Sequence, residues 1–293
     1  MEGMKNMDST WINAPAKINI GLDVIRRRED GYHEVKMIMQ SIRLFDRLTL
    51  TKSHETGIHL TTNLRFLPVN EDNLVYKSAA LLMDEFGIDD GLDIHLDKRI
   101  PVAAGMAGGS TDAASCMLAM NRLYDLGLSK RQLMRRGVKL GADIPYCILK
   151  GTALSEGIGE KLSTVPKMPD CYILIAKPGI HVSTRFVYDN LVLDENTVHP
   201  DIDQMIRAMK ARDLQTLCAL MGNVLETVTI PAHPEIASIK QCMMENGAIG
   251  SLMSGSGPTV FGIFDDLEQA KKAREKCREL PYRCFVFVTD LYR

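Results

Sequence analysis

The residues of this chain with the clearest chemical potential form a run of small side chains ahead of an apolar, helix-favouring segment. Three glycines lie in this run, which ends in Ser110 and Thr111. Glycine allows close approach of the backbone to a ligand, and a helix N-terminus presents free amide groups and a positive dipole end to an anion. The pattern predicts a cradle for phosphate groups, formed by Pro101, Val102, Ala103, Ala104, Gly105, Met106, Ala107, Gly108, Gly109, Ser110 and Thr111.

This loop departs from the two common phosphate-binding patterns. The pattern G-x-x-x-x-G-K-[ST] has a lysine after its last glycine, whereas this chain has Ser110 there. The spacing also differs from the dinucleotide-binding pattern G-x-G-x-x-G. Taken alone, the loop is therefore open to a second interpretation, a tight turn that precedes a core helix.

A lysine interrupts the otherwise apolar segment 14–20 (APAKINI). Burying a lysine is costly unless its ammonium is paired or used in binding or catalysis. Lys17 is therefore a candidate catalytic group, with Asn19 beside it. The alternative is a surface lysine that lays its aliphatic stem on apolar neighbours and extends its ammonium into water.

An aspartate lies at a second candidate position, in the segment 141–145 (GADIP) between a predicted helix and a predicted strand. Pro145 restrains the backbone of the residue before it. A carboxylate held at such a junction can serve as a general base or a metal ligand. Asp143 is thus a candidate base, and a helix-terminating turn with a surface aspartate is the alternative.

Two further segments carry polar or aromatic groups next to turns. Tyr32 and His33 follow an Asp-Gly hairpin turn, where they could stack on and hydrogen-bond to a flat ring. Ser254 and Gly255 begin the segment 254–259 (SGSGPT), whose amides could form a second concave anion site. The alternatives are an ordinary surface hairpin for the first segment and a loose hairpin loop for the second.

The hydrophobic pattern predicts an α+β fold that positions these segments. Helices are expected over residues 74–86, from the glycine loop to about 127, and over 129–140, 183–191, 201–211, 213–227, 234–246 and 266–278. Strands are expected over residues 11–25 with an interruption near Pro15, and over 35–50, 92–96, 146–154, 171–176, 249–253, 260–264 and 284–288. Two prolines in the polar stretch 163–169 indicate a domain break.

Composition excludes several classes of protein. The 293 residues are 45% hydrophobic, enough for a large core, and a net charge of −2 gives no basis for nucleic-acid or anionic-membrane binding. Seven scattered cysteines without a C-x-x-C pair argue against a zinc site or disulfide framework. The first ten residues lack the apolar core of a signal peptide. A cytoplasmic protein is expected, either monomer or homodimer, with no membrane or nucleic-acid partner.

Taken together, the motifs resemble the GHMP small-molecule kinases. They are P-A-K-x-N at 15–19, P-x-x-x-G-[LM]-x-G-G-S-[ST] at 101–111 and G-S-G-P-[TS] at 255–259. The resemblance implies a domain over 1–165 similar to ribosomal protein S5 domain 2, a ferredoxin-like domain over 166–293, and a substrate site between the two. Family loops often read G-L-G-G-G-S, so Met106 and Ala107 depart from the pattern.

Within this superfamily, the segments 30–33 (DGYH) and 141–145 resemble members that phosphorylate the 2-hydroxyl of a cytidine-diphosphate-linked methylerythritol in non-mevalonate isoprenoid synthesis. The resemblance implies ATP and Mg²⁺ as cofactors. Ser110 or Thr111 is expected near the metal ion, and its ligands are left unassigned. It assigns Asp143 as base and Lys17 as the group that stabilises the alkoxide and keeps Asp143 ionised. Further implied contacts are Asn73 and Lys98 with ATP, and Asn19, Tyr32, His33, Tyr188, Ser254 and Gly255 with the substrate.

Two other functions stay open at this point. The first is a different GHMP kinase, such as a homoserine or mevalonate kinase; homoserine kinases generally lack the aspartate seen at 143, and neither enzyme needs a cytosine clamp. The second is a non-catalytic sensor that has kept the nucleotide-binding fold. The presence of both Lys17 and Asp143 argues against a sensor, because a protein that only binds nucleotide has no use for a base.

Overall fold

A computed structural model describes residues 8–293. The chain forms two compact units that alternate along the sequence. The first unit contains residues 8–16, Leu44–Ile100 and Gly108–Leu149, and the second contains Lys17–Arg43, Pro101–Ala107 and Lys150–Arg293. The predicted domain division after residue 165 stays a prediction. The expectation that the first ten residues are not a signal peptide concerns residues that lie largely outside the described part of the chain.

The two longest strands, β1 (Ser9–Arg27) and β2 (His33–Ser53), pair with each other and contribute residues to both units. In the first unit, β2 pairs antiparallel with β4 (Gly91–Asp97), and β3 (Ile58–Thr62) runs parallel to β4. Leu48 and Leu50 of β2 lie opposite Leu96 and Ile94 of β4, and all four side chains are buried.

Four helices complete the first unit: α1 (Leu74–Phe86), α2 (Gly108–Leu123), α3 (Lys130–Gly137) and α4 (Ile144–Leu149). The bounds predicted for α1 are confirmed. Asn73 caps its first turn by accepting a hydrogen bond from the Val75 amide, and Gly87 ends it with a φ of 58°. Local cap chemistry therefore sets both ends of this helix.

The second unit contains a four-stranded antiparallel sheet. Its strands are β7 (Tyr172–Pro178), β8 (Gly250–Met253), β9 (Val260–Phe264) and β10 (Cys284–Asp290), in the order β10-β7-β9-β8. Helices α9 (Glu235–Glu245) and α10 (Leu267–Arg278) pack on it. The sequence of elements is strand-helix-strand-strand-helix-strand, which confirms the predicted ferredoxin-like arrangement.

The remaining elements of this unit are the strands β5 (Thr152–Gly157) and β6 (Lys161–Thr164) and the helices α5 (Thr184–Asp189), α6 (Ile202–Ala211), α7 (Leu214–Leu220) and α8 (Glu226–Ala232). Strand β5 pairs with the beginning of β2 and with β6. The four helices lie between β7 and α9 in the chain, as an insertion into the ferredoxin-like order.

Three predicted elements are wrong in type or continuity, and the hydrophobic pattern predicts neither β3 nor β6. Residues 146–149 belong to α4 rather than to a strand, because a short apolar run does not distinguish the two and Pro145 fits the first turn of a helix. The predicted helix 213–227 is divided into α7 and α8, since Leu22 of β1 pairs with the intervening Asn223. Strand β1 continues through Pro15 without interruption.

The α+β fold class is confirmed. Among residues 8–293, no helix combines the length and the apolar character that crossing a bilayer requires. All seven cysteines are free thiols.

Candidate active site

The first candidate group, Lys17, is buried in the second unit with 6% of its surface exposed. Its ammonium donates hydrogen bonds to the side-chain oxygen of Asn19 at 2.7 Å and to the carbonyl oxygen of Gly105 at 3.1 Å. Both acceptors are neutral, and within the second unit no carboxylate pairs with this ammonium. The interpretation as a surface lysine is therefore wrong, and the positive charge of Lys17 is available to a ligand.

Alternation along β1 explains why Lys17 and Asn19 meet. Residues two apart in a strand lie on the same face. The Asn19 side chain is held in turn by its amide nitrogen, which lies 3.1 Å from the sulfur of Met37. Because a thioether is a weak acceptor, this amide retains most of its capacity to donate to a ligand.

The part of the glycine-rich loop in the second unit, residues 101–107, has an unusual backbone. Ala103, Gly105 and Ala107 have φ values of 50°, 69° and 53°. This left-handed region costs about 1–2 kcal/mol for a residue with a side chain. Ala107 stands where related loops have glycine, so its conformation explains that preference and shows that alanine is tolerated at this position.

The rest of the loop begins α2 in the first unit. Gly108, Gly109 and Ser110 form its first turn, whose backbone amides lack carbonyl partners within the helix. The Thr111 hydroxyl is fully buried and donates to the Pro15 carbonyl at 2.8 Å. Ser110 is only half-buried, so of these two hydroxyls it is the one that is open to a ligand.

Ser254 and Gly255 contact the loop within the second unit. The Ser254 hydroxyl donates to the Gly105 carbonyl at 3.0 Å, so this oxygen accepts hydrogen bonds from both Ser254 and Lys17. A Cβ atom at Gly105 would overlap the carbonyl oxygen of Ser254, and its φ is positive. Glycine is therefore required at 105 on both steric and conformational grounds.

The predicted aromatic cluster is partly assembled in the second unit. The rings of His33 and Tyr188 have centroids 5.0 Å apart and an interplanar angle of 36°. Burial and the nearby positive charge of Arg27 hold the pKa of His33 below its ordinary value of 6.5. Tyr32 is 61% exposed. The structure thus presents a paired histidine and tyrosine with a third, accessible ring adjacent in sequence.

Asp143 lies in the first unit, directly before α4, and is half-buried. Its backbone carbonyl accepts a hydrogen bond from the Cys147 amide, which places the residue at the start of the helix. Within the first unit its carboxylate forms no ion pair. Lys17 belongs to the second unit, and the predicted meeting of these two side chains stays a prediction.

The two residues predicted near the nucleotide base, Asn73 and Lys98, have structural partners. Besides capping α1, Asn73 donates from its amide nitrogen to the Pro68 carbonyl at 2.8 Å. The Lys98 ammonium is almost fully buried between the carboxylates of Asp46 and Asp112. The Lys98 ammonium is therefore committed to these two carboxylates.

In the Asp46–Lys98–Asp112 cluster, burial and the opposite charges nearby act against each other on the pKa of Lys98 and on that of Asp112. Burial raises the pKa of Asp112 well above its ordinary value, against the lowering effect of Lys98. For Lys98, burial lowers the pKa, but the two carboxylates together outweigh it and the net change is upward. One oxygen of Asp112 is buried without a hydrogen-bond partner. The cluster joins β2, through Asp46, and the residue after β4 to the first turns of α2.

Sequence reasoning missed Asn223 and Glu226. The side-chain amide of Asn223 donates to the carbonyls of Met253 and Gly255, both at 2.8 Å. Glu226 accepts a hydrogen bond from the Met253 amide at 2.8 Å. The dipeptide Gly222-Asn223, a turn signal inside a predicted helix, was the one feature that could have indicated this region.

Comparison with known proteins adds two family matches. The model described as GHMP kinases N terminal domain matches residues 73–151, and the one described as GHMP kinases C terminal matches residues 205–283. The first interval contains Asn73, Lys98 and Asp143, together with the glycine-rich loop. The second contains Asn223 and the loop of Ser254.

Relatives of full length are also found. A protein of Lachnospira eligens named 4-diphosphocytidyl-2-C-methyl-D-erythritol kinase is 52% identical over 98% of this chain and 99% of its own length. The protein of the same name from Lachnoclostridium phytofermentans is also 52% identical, over 98% of both chains.

Solved structures of similar fold include one whose description names the same kinase activity as these relatives. A crystal structure described as 4-(cytidine 5'-diphospho)-2C-methyl-D-erythritol kinase has a TM-score of 0.83 and 32% identity, and the match covers 97% of this chain and 100% of that one. A homoserine kinase from Cytophaga hutchinsonii has a TM-score of 0.81 at 20% identity, with 99% and 97% covered. At that identity, the second likeness shows the fold alone.

Proposed function

The chain belongs to the GHMP kinase family, and we propose that it is an ATP-dependent kinase of non-mevalonate isoprenoid synthesis. Its substrate in this proposal is 4-diphosphocytidyl-2-C-methyl-D-erythritol, which it phosphorylates on the 2-hydroxyl group. The observation that carries the proposal is the 52% identity to relatives of that name over nearly the whole of both chains. The Lys17 ammonium, which is buried with only neutral acceptors within the second unit, supports this proposal because phosphoryl transfer needs positive charge.

Phosphoryl transfer depends mainly on positioning and charge stabilisation. In the proposed reaction, the substrate 2-oxygen forms a bond to the terminal phosphorus of ATP, the bond from that phosphorus to the bridging oxygen breaks, and ADP leaves. Asp143 accepts the hydroxyl proton. Lys17 stabilises the charge that develops on the attacking oxygen.

The phosphates of ATP are assigned to the backbone amides of residues 101–111, with Asn73 and Lys98 towards the base. A single serine hydroxyl together with the phosphate oxygens of ATP fits Mg²⁺, which commonly takes few protein ligands and several phosphate oxygens. Ser110, whose hydroxyl is not fully buried, is the residue proposed to hold the ion, whereas the Thr111 hydroxyl is committed to Pro15. When bound, Mg²⁺ neutralises phosphate charge.

Recognition of the substrate is assigned to two groups of residues. Tyr32 and Tyr188 stack on the cytosine ring and His33 hydrogen-bonds to it, a role supported by the contact between His33 and Tyr188. Asn19 binds the polyol beside Lys17, together with Ser254 and Gly255. A site of this kind discriminates against acceptors without a base, because unfilled polar and aromatic groups lose their partners.

The proposal includes a functional division into an ATP-binding part over residues 1–165 and a second part over 166–293. It also includes a cytoplasmic location, which the seven free cysteines favour. The oligomeric state is either monomer or homodimer.

An assay of ADP release with a panel of acceptors tests this function. We expect turnover with 4-diphosphocytidyl-2-C-methyl-D-erythritol and none with homoserine or mevalonate. Turnover with one of the other two would move the chain to a different activity of the same family. ATP binding without turnover on any acceptor would favour the non-catalytic sensor.

A further inference from the structure

Asn223 is a buried asparagine whose side chain makes three hydrogen bonds to the backbone. It lies in the break between α7 and α8, with 7% of its surface exposed. Its amide nitrogen donates to the carbonyls of Met253 and Gly255, and its side-chain oxygen accepts from the Leu225 amide at 3.0 Å. The two carbonyls belong to the residues on either side of Ser254, so Asn223 holds the backbone around Ser254 from both sides.

The hydrogen bonds continue from Ser254 to Lys17. The Ser254 side chain is completely buried, and its hydroxyl donates to the Gly105 carbonyl at 3.0 Å. The same carbonyl accepts from the Lys17 ammonium at 3.1 Å. Because one oxygen receives both donors, a shift of Ser254 moves the acceptor that orients Lys17.

The segment around Asn223 is also attached to the strand that carries Lys17. The Leu22 amide donates to the Gly222 carbonyl at 2.9 Å, and the Val224 amide donates to the Leu22 carbonyl at 3.0 Å. Leu22 lies on β1, a few residues beyond Asn19. Asn223 therefore connects β1 to the loop at 254–259. The two partners of the Lys17 ammonium are Asn19, which lies on β1, and the Gly105 carbonyl, which accepts from the loop.

We infer that Asn223 is a positioning residue for Lys17, acting through Ser254 and the Gly105 carbonyl. This inference rests on the proposed function, because it assumes that the orientation of Lys17 limits phosphoryl transfer. A buried amide that donates to two carbonyls also stabilises the fold. A positioning role adds an effect on kcat in the folded protein, which a purely structural role does not produce.

The first test compares Asn223→Ala with Asn246→Ala. Asn246 is a matched control in the same unit, since its side-chain amide also donates to a backbone carbonyl, that of Cys242, but it lies at the end of α9. We expect Asn223→Ala to lower kcat about ten- to a hundredfold with little change in either KM, as small displacements of catalytic groups do. Asn246→Ala keeps wild-type kcat. An unchanged kcat in folded Asn223→Ala overturns the inference.

A second variant covers the case in which Asn223→Ala fails to fold. Asn223→Asp keeps the size of the side chain and the oxygen that accepts from Leu225, but it replaces both donated hydrogen bonds by repulsion between oxygens. Its kcat is expected to fall at neutral pH and to recover partly in acid, where the protonated carboxyl can donate one hydrogen bond again. No recovery relative to wild type at the same pH argues against the positioning role.

A double-variant experiment tests whether the effect passes through Lys17. In a Lys17→Ala background, Asn223→Ala should cause little further loss of kcat, because the group that it orients is already absent. A loss as large as in the wild-type background would show that Asn223 acts independently of Lys17 and would overturn the inference.

Chemical labelling distinguishes failure of this inference from failure of the proposed function. Acetic anhydride acetylates free amines, and mass spectrometry gives the labelling of Lys17 relative to Lys36 in the same sample without any turnover. We expect the ratio to rise several-fold in Asn223→Ala and to stay at the wild-type value in Asn246→Ala. If the wild type does not turn over but the ratio rises, the proposed function fails and the positioning role stands. If the wild type turns over and the ratio is constant, the positioning role fails alone.

Discussion

The rings of His33 and Tyr188 lie with their centroids 5.0 Å apart and their planes inclined by 36°. His33 begins β2, and Tyr188 belongs to the short helix α5. Two elements far apart in the sequence therefore assemble one aromatic surface in the second unit. These are two of the rings to which the proposed function assigns recognition of cytosine.

Loss of the Tyr188 ring should weaken substrate binding. Stacking of a base on an aromatic ring is worth about 1–3 kcal/mol, so Tyr188→Ala should raise the substrate KM roughly five- to a hundredfold. Tyr188→Phe keeps the ring and should stay close to wild type. Initial rates over a range of substrate concentrations at saturating ATP measure both variants. An unaltered substrate KM in Tyr188→Ala would remove this residue from the site.

The pH dependence of substrate binding should follow His33. Burial and Arg27 lower the pKa of His33 below 6.5, so the neutral ring persists as the pH falls past that value. The substrate KM should stay constant from about pH 8 to just below the ordinary histidine pKa and rise at lower pH. Arg27→Gln removes one lowering influence and should start the rise at higher pH. Identical KM profiles for the two proteins would contradict this assignment.

Removal of either proposed catalytic side chain should affect the chemical step. Lys17→Ala and Asp143→Ala should each lower kcat by at least about a hundredfold, the scale of acid–base and charge-stabilising groups. Lys36→Ala and Asp203→Ala are suitable controls, since they break a partly exposed ion pair elsewhere in the second unit. Near-normal kcat in either test variant excludes that residue from the proposed mechanism.

A side chain at Gly108 should weaken ATP binding. A Cβ atom there would lie 3.2 Å from the Lys98 nitrogen and 3.4 Å from a methyl group of Ile100, so the larger Gly108→Val side chain must displace the first turn of α2. Losing one hydrogen bond to a charged group removes about 1.5–3 kcal/mol, which predicts an ATP KM roughly tenfold or more higher. Gly179→Ala, at an ordinary 3.5 Å contact, is the control. A wild-type ATP KM in the valine variant would count against the phosphate cradle.

Lys98 should contribute strongly to stability. Lys98→Met leaves the carboxylates of Asp46 and Asp112 buried without their cation, and removing one partner of a buried pair costs about 3–5 kcal/mol of the free energy of unfolding. Lys271→Met breaks only the exposed pair with Glu268 and should cost less than about 1 kcal/mol. Urea unfolding compares the two variants. Similar losses in both would contradict a large contribution of the buried cluster to stability.

Local chemistry explains what the sequence determined by itself. Asn73 caps the start of α1 with its side chain, and Gly87 ends the helix with backbone hydrogen bonds. Because these contacts are between near neighbours, the bounds of α1 could be predicted. The spacing of Lys17 and Asn19 places them on one face of a strand wherever that strand lies. The glycine-rich loop is likewise a local pattern, and its resemblance to the GHMP kinases identified the family correctly.

Tertiary structure decided the features that depend on distant partners. Helical periodicity continues through Asn223, whereas the backbone hydrogen bonds of Gly222 and Val224 with Leu22 divide the helix there. The burial of Lys98 between two carboxylates is not visible in the sequence around the preceding strand, because Asp46 belongs to another strand. Periodicity and capping report the preferences of residues close in sequence, whereas these contacts arise from the free energy of packing segments that the chain order leaves far apart.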